Sequence, residues 1–402
     1  MKALTRSLFA LALAGAFGAA QAQISDNVIK IGVLSDMSGL YKDIGGPGSV
    51  VAARMAVEDS GIEKRGYKVE IVSADHQNKP DVGSAIARQW YDSDKVDVIV
   101  DVPTSSVALA VSDITKDKGK VFLVSGAAAS DLTGKACTPN TIHWTYDTWM
   151  LANGTGGAIV KTGGDTWFFL TADYAFGLAL ERDTEAVVLK NGGKVLGKVR
   201  HPLSTQDFSS FLLQAQASKA KIIGLANAGG DTVNSIKQAA EFGIVKGGQN
   251  LAGLLVFTSD VHSLGLQTAQ GLILTETFYW DQNDQTRAFA KRFAAQNKNA
   301  YPTMVHAGVY SSLLHYFKAV EALKSDDGTK VVAKMKEIPT DDPLFGKGTV
   351  RADGRKIHPA YLFEVKKPSE SKGEWDLYKL RATIPADQAF RPLSEGGCPL
   401  VK

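Results

Sequence analysis

Val96-Asp97-Val98-Ile99-Val100-Asp101-Val102-Pro103-Thr104-Ser105-Ser106 and Lys120-Val121-Phe122-Leu123-Val124-Ser125-Gly126-Ala127-Ala128-Ala129-Ser130 decide the fold. Each is a short apolar, β-branched run that ends in small and hydroxyl-bearing residues, and a segment of helical length separates them. Short apolar runs divided by a helix mark strands of a parallel sheet, buried on both faces. In open α/β sheets, ligands sit beyond the carboxyl ends of the strands. Here those ends carry Thr104, Ser105 and Ser106, then Ser125, Ala127, Ala128 and Ser130. Hydroxyls beside the free amides of a helix start suit a small anion such as a carboxylate. The same hydroxyls suit simple capping of the next helix, and both readings stand at this point.

Outward from this pair the alternation continues in both directions. Residues 28–34 read as a strand that runs into the glycine-rich turn 35–48, which holds Tyr41. A helix follows, with Val50, Val51, Met55 and Val57 on its apolar side. Residues 67–72 are a second strand, and Asp81 caps a helix over 82–91. The result is β-α-β-α-β-α-β, a doubly wound α/β unit. After the extended, aromatic segment 137–147 the pattern restarts with a helix over 149–161. The strand 166–170 ends in Asp173, Tyr174 and Phe176, and a helix fills 178–191. Strand 194–200 is followed by a helix capped from 205–208. Strand 221–226 ends at Asn227, a helix runs to Phe242, and strand 254–257 ends in Thr258-Ser259-Asp260. A further strand at 271–277 precedes helices over 287–297 and 306–323, whose register suits packing on the first unit. A hairpin-like turn at 345–355 and strands at 361–365 and 375–378 complete the chain.

The first six residues are basic, residues 7–20 are apolar, and Ala20-Gln21-Ala22 is a small-residue cleavage site. This is a secretory signal peptide cut after Ala22, so the mature chain is expected in the periplasm. No later stretch approaches the roughly 18 apolar residues of a membrane span. The formal charge is +3, and loss of Lys2 and Arg6 lowers it to +1. That balance, without a Lys/Arg stripe, excludes nucleic acid as a partner. About 380 mature residues call for two domains. Cys137 and Cys398 are the two cysteines, and an oxidising compartment makes them one disulfide. The turn Gly45-Gly46-Pro47-Gly48 matches neither glycine-rich nucleotide pattern. The seven histidines are scattered, with no H-E-x-x-H and no G-x-S-x-G. No cofactor, metal site or catalysis is therefore expected. Asp173 and Asp260 read as polar strand-end contacts, and His262 is a histidine placed to touch a ligand.

Four features together resemble a known family. They are Met37-Ser38-Gly39 after the first strand, Thr104-Ser105-Ser106 with Ser125-Gly126-Ala127-Ala128, Asp173-Tyr174-Ala175-Phe176-Gly177, and Phe345-Gly346 with Asp353-Gly354. Over essentially the whole mature length the chain resembles the periplasmic solute-binding proteins of ABC transporters, of the branched-chain amino-acid-binding (leucine/isoleucine/valine) type. The resemblance implies a two-lobed type I periplasmic-binding fold. One lobe would comprise 24–146 and 279–344, the other 147–278 and 345–385, with hinge crossings near Tyr146, Trp280 and Phe345. The tail 386–402 would be tied back by the disulfide. The resemblance also implies a monomer that closes over a ligand and docks on a membrane permease. The ligand carboxylate would meet Thr104, Ser105 and the turn with Ala127 and Ala128, with Ser125 and Ser130 close by. Tyr41 would come from the first lobe, and Tyr174 or Phe176, Asn227 and Asp260 from the second, Asp260 answering an ammonium. The family's aromatic before Gly45 is here Ile44, its second-lobe Glu is Asp260, and its small first-lobe disulfide is missing. Two ligand classes stay open on these grounds, an amino acid and an aromatic or aliphatic acid without an amine. A sensory receptor, in place of a permease, is an open reader of the closed form.

Overall fold

Residues 24–401 are described in a computed structural model; the signal peptide and its cleavage after Ala22 lie outside them. Strands β1 (Ile29–Ser35), β2 (Val69–Asp75), β3 (Val98–Asp101), β4 (Val121–Val124) and β5 (Thr141–His143) form a sheet in the order β2-β1-β3-β4-β5. Every pairing is parallel. All residues of β3 and β4 are buried, which is why they read as unbroken apolar runs. Helices Gly46–Ser60, Pro80–Asp92 and Ser105–Lys118 make the crossovers. Asp81 does not cap its helix; Lys79 stands at the cap and Pro80 opens the first turn, as its fixed φ favours.

The second sheet has β6 (Thr166–Ala172), β7 (Lys194–His201), β8 (Ile222–Ala226) and β9 (Asn250–Gly253), in the parallel order β7-β6-β8-β9. The strand expected at 254–257 is displaced to β9. Strand β8 pairs only with Asn250 to Gly253. Leu254 to Phe257 are buried in the core without ladder bonds and lead into helix Thr258–Leu264. An apolar run reports burial, and burial does not require strand pairing.

Strand β10 (Ile273–Glu276) leaves this sheet. Helices Asp284–Gln296 and Met304–Leu323 then return to the first sheet, as their register foretold. Arg292 and Tyr310 both bond Asp59 of helix Gly46–Ser60, at 2.7 and 2.8 Å. Strands β11 (Thr340–Asp342), β12 (Gly346–Val350) and β13 (Lys356–Ile357) form an antiparallel meander. The lobe break expected at 344/345 would cut the β11–β12 hairpin. Strand β12 also packs on helix Gly328–Glu337, and Arg355 bridges to His143 of β5. These contacts tie the meander to elements packed on the first sheet. Strands β14 (Ala360–Val365) and β15 (Tyr378–Ile384) complete an antiparallel sheet with β10. Trp375 to Leu377, expected in a strand, form the turn before β15, where the Trp375 carbonyl accepts bonds from Tyr279 and Trp280.

Cys137 and Cys398 are joined, with Cα atoms 5.6 Å apart. The tail after β15 thus returns to the segment between β4 and β5. Phe390 covers the Arg355 guanidinium at 4.4 Å, and Arg391 donates to the Ser130 carbonyl at 3.0 Å.

Candidate functional site

Beyond β3 and β4 the structure brings a hydroxyl and two amides together. Ser105 opens helix Ser105–Lys118, and its Oγ accepts bonds from the amides of Ala128 and Ala129, each at 3.2 Å. No acceptor for the Ser105 hydroxyl proton occurs among the described residues. An O–H polarised by two amide donors, at a helix start, is suited to an anionic oxygen. Thr104 plays a different part. Its hydroxyl neither caps the helix nor faces outward, but donates to Asn78 Oδ1. Asn78 in turn donates to Asp36, whose carboxylate also accepts the amides of Gly39 and Tyr41 at 2.7 and 2.8 Å. Asp36 therefore shapes the turn that presents Tyr41.

Asp101 stands beneath this region. Asp101 and Val102 have φ of +79° and +53°, a strained backbone for residues other than glycine and most of all for a β-branched one. Asp101 Oδ2 accepts the Ser35 hydroxyl at 2.7 Å, and Ser35 accepts the Gly46 amide at 2.9 Å. A Cβ at Gly45 or Gly126 would lie 2.7 Å from an Asp101 carboxyl oxygen, so both turns need glycine. Burial pushes the Asp101 carboxyl up to about 6.

The remaining expected residues fall into three groups. Tyr41 and Tyr174 meet across the lobes, hydroxyl to hydroxyl at 2.5 Å, and Phe176 lies beside Tyr174 with ring centres 5.8 Å apart. Tyr146, expected at the hinge, packs edge-on against Phe257 of the second lobe and donates to the Gly126 carbonyl at 2.5 Å. Ala127 and Ala128 are buried in the turn that carries the two amides. The second group is held internally. The Ser125 hydroxyl is buried against Gly308 of helix Met304–Leu323 without a partner. Asn227 bonds Thr232 and His201 inside the second lobe, with no exposed surface. Ser130 donates to Asp183 at 2.7 Å and accepts from Arg182 at 2.9 Å, so it ties the first lobe to helix Ala175–Lys190.

Asp260 forms the third group. It sits in the first turn of helix Thr258–Leu264, and its Oδ2 accepts the Phe257 amide at 2.9 Å. His262 stacks on Trp375 at 3.9 Å and pairs with Glu374 at 2.9 Å, lining a separate cavity of about 520 Å³ with Tyr301. Two acids escaped the sequence reading. Asp231 is 1% exposed, and its Oδ1 has no partner. Glu276, in β10, accepts the Tyr378 hydroxyl at 2.9 Å and leaves Oε2 unpaired. A lone acid inside the apolar run 271–277 was the available signal for Glu276. His306, by contrast, is a structural residue, with Nε2 on the Gly45 carbonyl at 2.8 Å and Nδ1 accepting the Thr303 amide at 3.0 Å. No group of three or more potential metal ligands occurs among the described residues.

Burial holds the Asp260 carboxyl up near 7. A carboxyl whose folded pKa is raised stabilises most below its unfolded value, and that contribution fades as pH rises through the folded value. Comparison with Asp260→Asn cancels the buried histidines, which titrate in the opposite sense. Between pH 8 and pH 6 the wild-type protein should gain about 1 kcal/mol over this variant in urea unfolding. A constant difference across that window would mean that Asp260 is ionised in the folded protein throughout.

Comparison with known proteins adds to this geometry. A family model described as periplasmic binding protein matches residues 28–374. The crystal structure of a periplasmic binding protein from Burkholderia mallei is 54% identical, covers 94% of this chain and 100% of its own, and superposes with a TM-score of 0.91. A branched chain amino acid ABC transporter periplasmic ligand-binding protein from Burkholderia xenovorans LB400 is 42% identical, with 93% of this chain and 100% of its own covered and a TM-score of 0.82. Leu/Ile/Val-binding protein homolog 6 of Brucella melitensis biotype 1 is 25% identical over 372 residues, 90% of this chain and 93% of its own.

Proposed function

The chain belongs to the periplasmic binding protein family, with its two-lobed type I fold, and from that premise we propose that it captures an amino acid, branched-chain or other, by its carboxylate for an ABC importer. Members of this family are the periplasmic ligand-binding components of such transporters. The observation that carries the reading is the Ser105 hydroxyl, held by the amides of Ala128 and Ala129 and left with a proton to donate. A carboxylate accepts that proton and the first-turn amides of helix Ser105–Lys118 together. The distal end of the ligand meets Tyr41, Tyr174, Phe176 and the side of the second lobe where Asp231 and Glu276 are buried. Those acids favour an amino group, because an unpaired buried carboxyl oxygen is costly. A second reading rests on the aromatic walls. Tyr41, Tyr146, Tyr174, Phe176 and Phe257 would equally enclose an aromatic acid.

The lobes divide at Tyr146, near Phe278 and between β13 and β14, and contacts made across them shift the population toward closure. The closed monomer docks on an inner-membrane permease. A thermal-shift screen of refolded mature protein against amino acids, aromatic acids and aliphatic acids tests the ligand class. Saturation at a hundred times the dissociation constant adds about 2.7 kcal/mol. Shifts with zwitterions support the first reading, and shifts confined to acids without an amine support the second. Ser105→Ala should weaken binding of every responding acid by roughly 10- to 100-fold, the worth of a charge-assisted bond of about 1.5–3 kcal/mol. Titration calorimetry that finds unchanged affinity would remove Ser105 from the site.

A further inference from the structure

We infer that Asp231, rather than Asp260, meets the amino group of the bound amino acid; this rests on the ligand reading above. The placement of the residue comes first. The turn Gly229-Gly230-Asp231 lies directly on the opposite lobe. The Gly230 amide donates to the Leu40 carbonyl at 3.4 Å. A Cβ at Gly229, whose φ is +57°, would stand 2.8 Å from that carbonyl and 3.0 Å from the Tyr41 ring. The Leu40 side chain and the Tyr41 ring pack directly on these two glycines, so Asp231 enters the helix Gly230–Glu241 at a point of contact with the Tyr41 turn.

The state of its oxygens comes second. Oδ2 accepts the Ser204 amide at 3.1 Å and the Thr205 amide also acts on the carboxylate, whereas Oδ1 is buried without a hydrogen bond. Buried polar atoms are normally satisfied, and a donor supplied by a ligand would complete this one. The neighbours come third. The Asp231 charge acts on both Tyr41 and Tyr174, whose hydroxyls touch each other. One carboxylate oxygen and two phenol oxygens can receive the three N–H bonds of an ammonium. Burial holds the Asp231 carboxyl up near 7, so an arriving ammonium would draw it to the ionised form. Asp260 is differently employed. Its Oδ2 accepts the Phe257 amide and closes the first turn of its own helix.

The test compares L-leucine with 4-methylpentanoate, and L-phenylalanine with 3-phenylpropanoate, by calorimetry on mature protein. Each pair differs only by the amine. Asp231→Asn and Asp231→Ser are made beside Asp260→Asn. Serine keeps a residue suited to a helix start while removing the carboxylate, so loss of folding in one variant does not end the test. Asp231→Asn and Asp231→Ser should weaken the amino acids 10- to 100-fold and leave the deaminated acids within twofold. Asp260→Asn should change the melting temperature and keep the ratio within each pair. Loss of amino-acid preference in Asp260→Asn alone, or equal weakening of both members of a pair in the Asp231 variants, overturns the inference. If the wild-type protein takes neither amino acid, the ligand reading falls and carries the inference with it. If the wild-type protein binds them and the Asp231 variants bind them equally well, only the inference falls.

Discussion

Replacing Cys137 and Cys398 together by serine should lower the unfolding free energy by about 2–5 kcal/mol. The bond spans 261 residues of sequence, and loop-closure entropy for such a span sets an upper value of roughly 5–6 kcal/mol. Real losses run lower, because the tail has contacts of its own. Arg391 donates to Ser130, Arg351 donates to the Arg391 carbonyl at 2.8 Å, and Phe390 is buried on Arg355 and His358. The bond also ties the segment after β15 to the first sheet. Strand β15 belongs to a sheet with β10 and β14, while Cys137 lies in the first lobe before β5. Urea unfolding of the double variant, with and without reductant on the wild-type protein, measures the effect. A loss below about 1 kcal/mol would mean that the tail is held by its side-chain contacts alone.

Arg355→Ala should cost about 3–5 kcal/mol, the range for breaking a buried ion pair. Arg355 has no exposed surface. Its Nη2 donates to the Thr145 carbonyl at 2.7 Å, its Nε donates to the Lys356 carbonyl at 3.0 Å, and Nη1 stands 3.5 Å from Asp147. Burial lowers its pKa to about 10, so it stays charged at neutral pH. Removing it strands these carbonyls and leaves Asp147 buried without its cation. Burial already raises the pKa of Asp147. Lysine cannot restore the fork of donors, so Arg355→Lys should recover less than half of the loss. Arg355→Met, which fills the volume, should be milder than alanine. Chemical denaturation of the three variants orders them, and a loss for alanine below 1 kcal/mol would place the hinge's stability elsewhere. Because Thr145 and Asp147 flank the first crossing, ligand affinity should change along with stability.

The two doubly wound units were legible because buried parallel strands write themselves as short apolar runs, as in Val98–Asp101 and Val121–Val124. The single disulfide followed from two cysteines and an export signal. Strand 254–257 was not legible, since its burial comes from loop packing and the ladder falls on Asn250–Gly253. Beyond β3 and β4, Ser105 and Ala128 meet through the Ala128 amide and the Ser105 Oγ. The hydroxyls of Thr104 and Ser125 are engaged by long-range packing that the local string does not carry. Asn78, from beyond β2, takes the Thr104 proton, and Gly308, from a helix two hundred residues on, covers Ser125. Asp231 carries no signal in the local string, because an unpaired oxygen is a property of the folded neighbourhood.

The path of the chain imposes an order on biogenesis. Helix Met304–Leu323, which packs against β3 and β4, is made only after the whole second sheet. Until then the first sheet waits with one apolar face only partly covered, by helix Gly46–Ser60, a stage at which exposed surface invites aggregation or a chaperone. Cys398 follows both sheets in the sequence, so the covalent step can close only after both have been made. With two cysteines there is one pairing and no mispaired rival, so maturation calls for an oxidant and makes no demand on a disulfide isomerase.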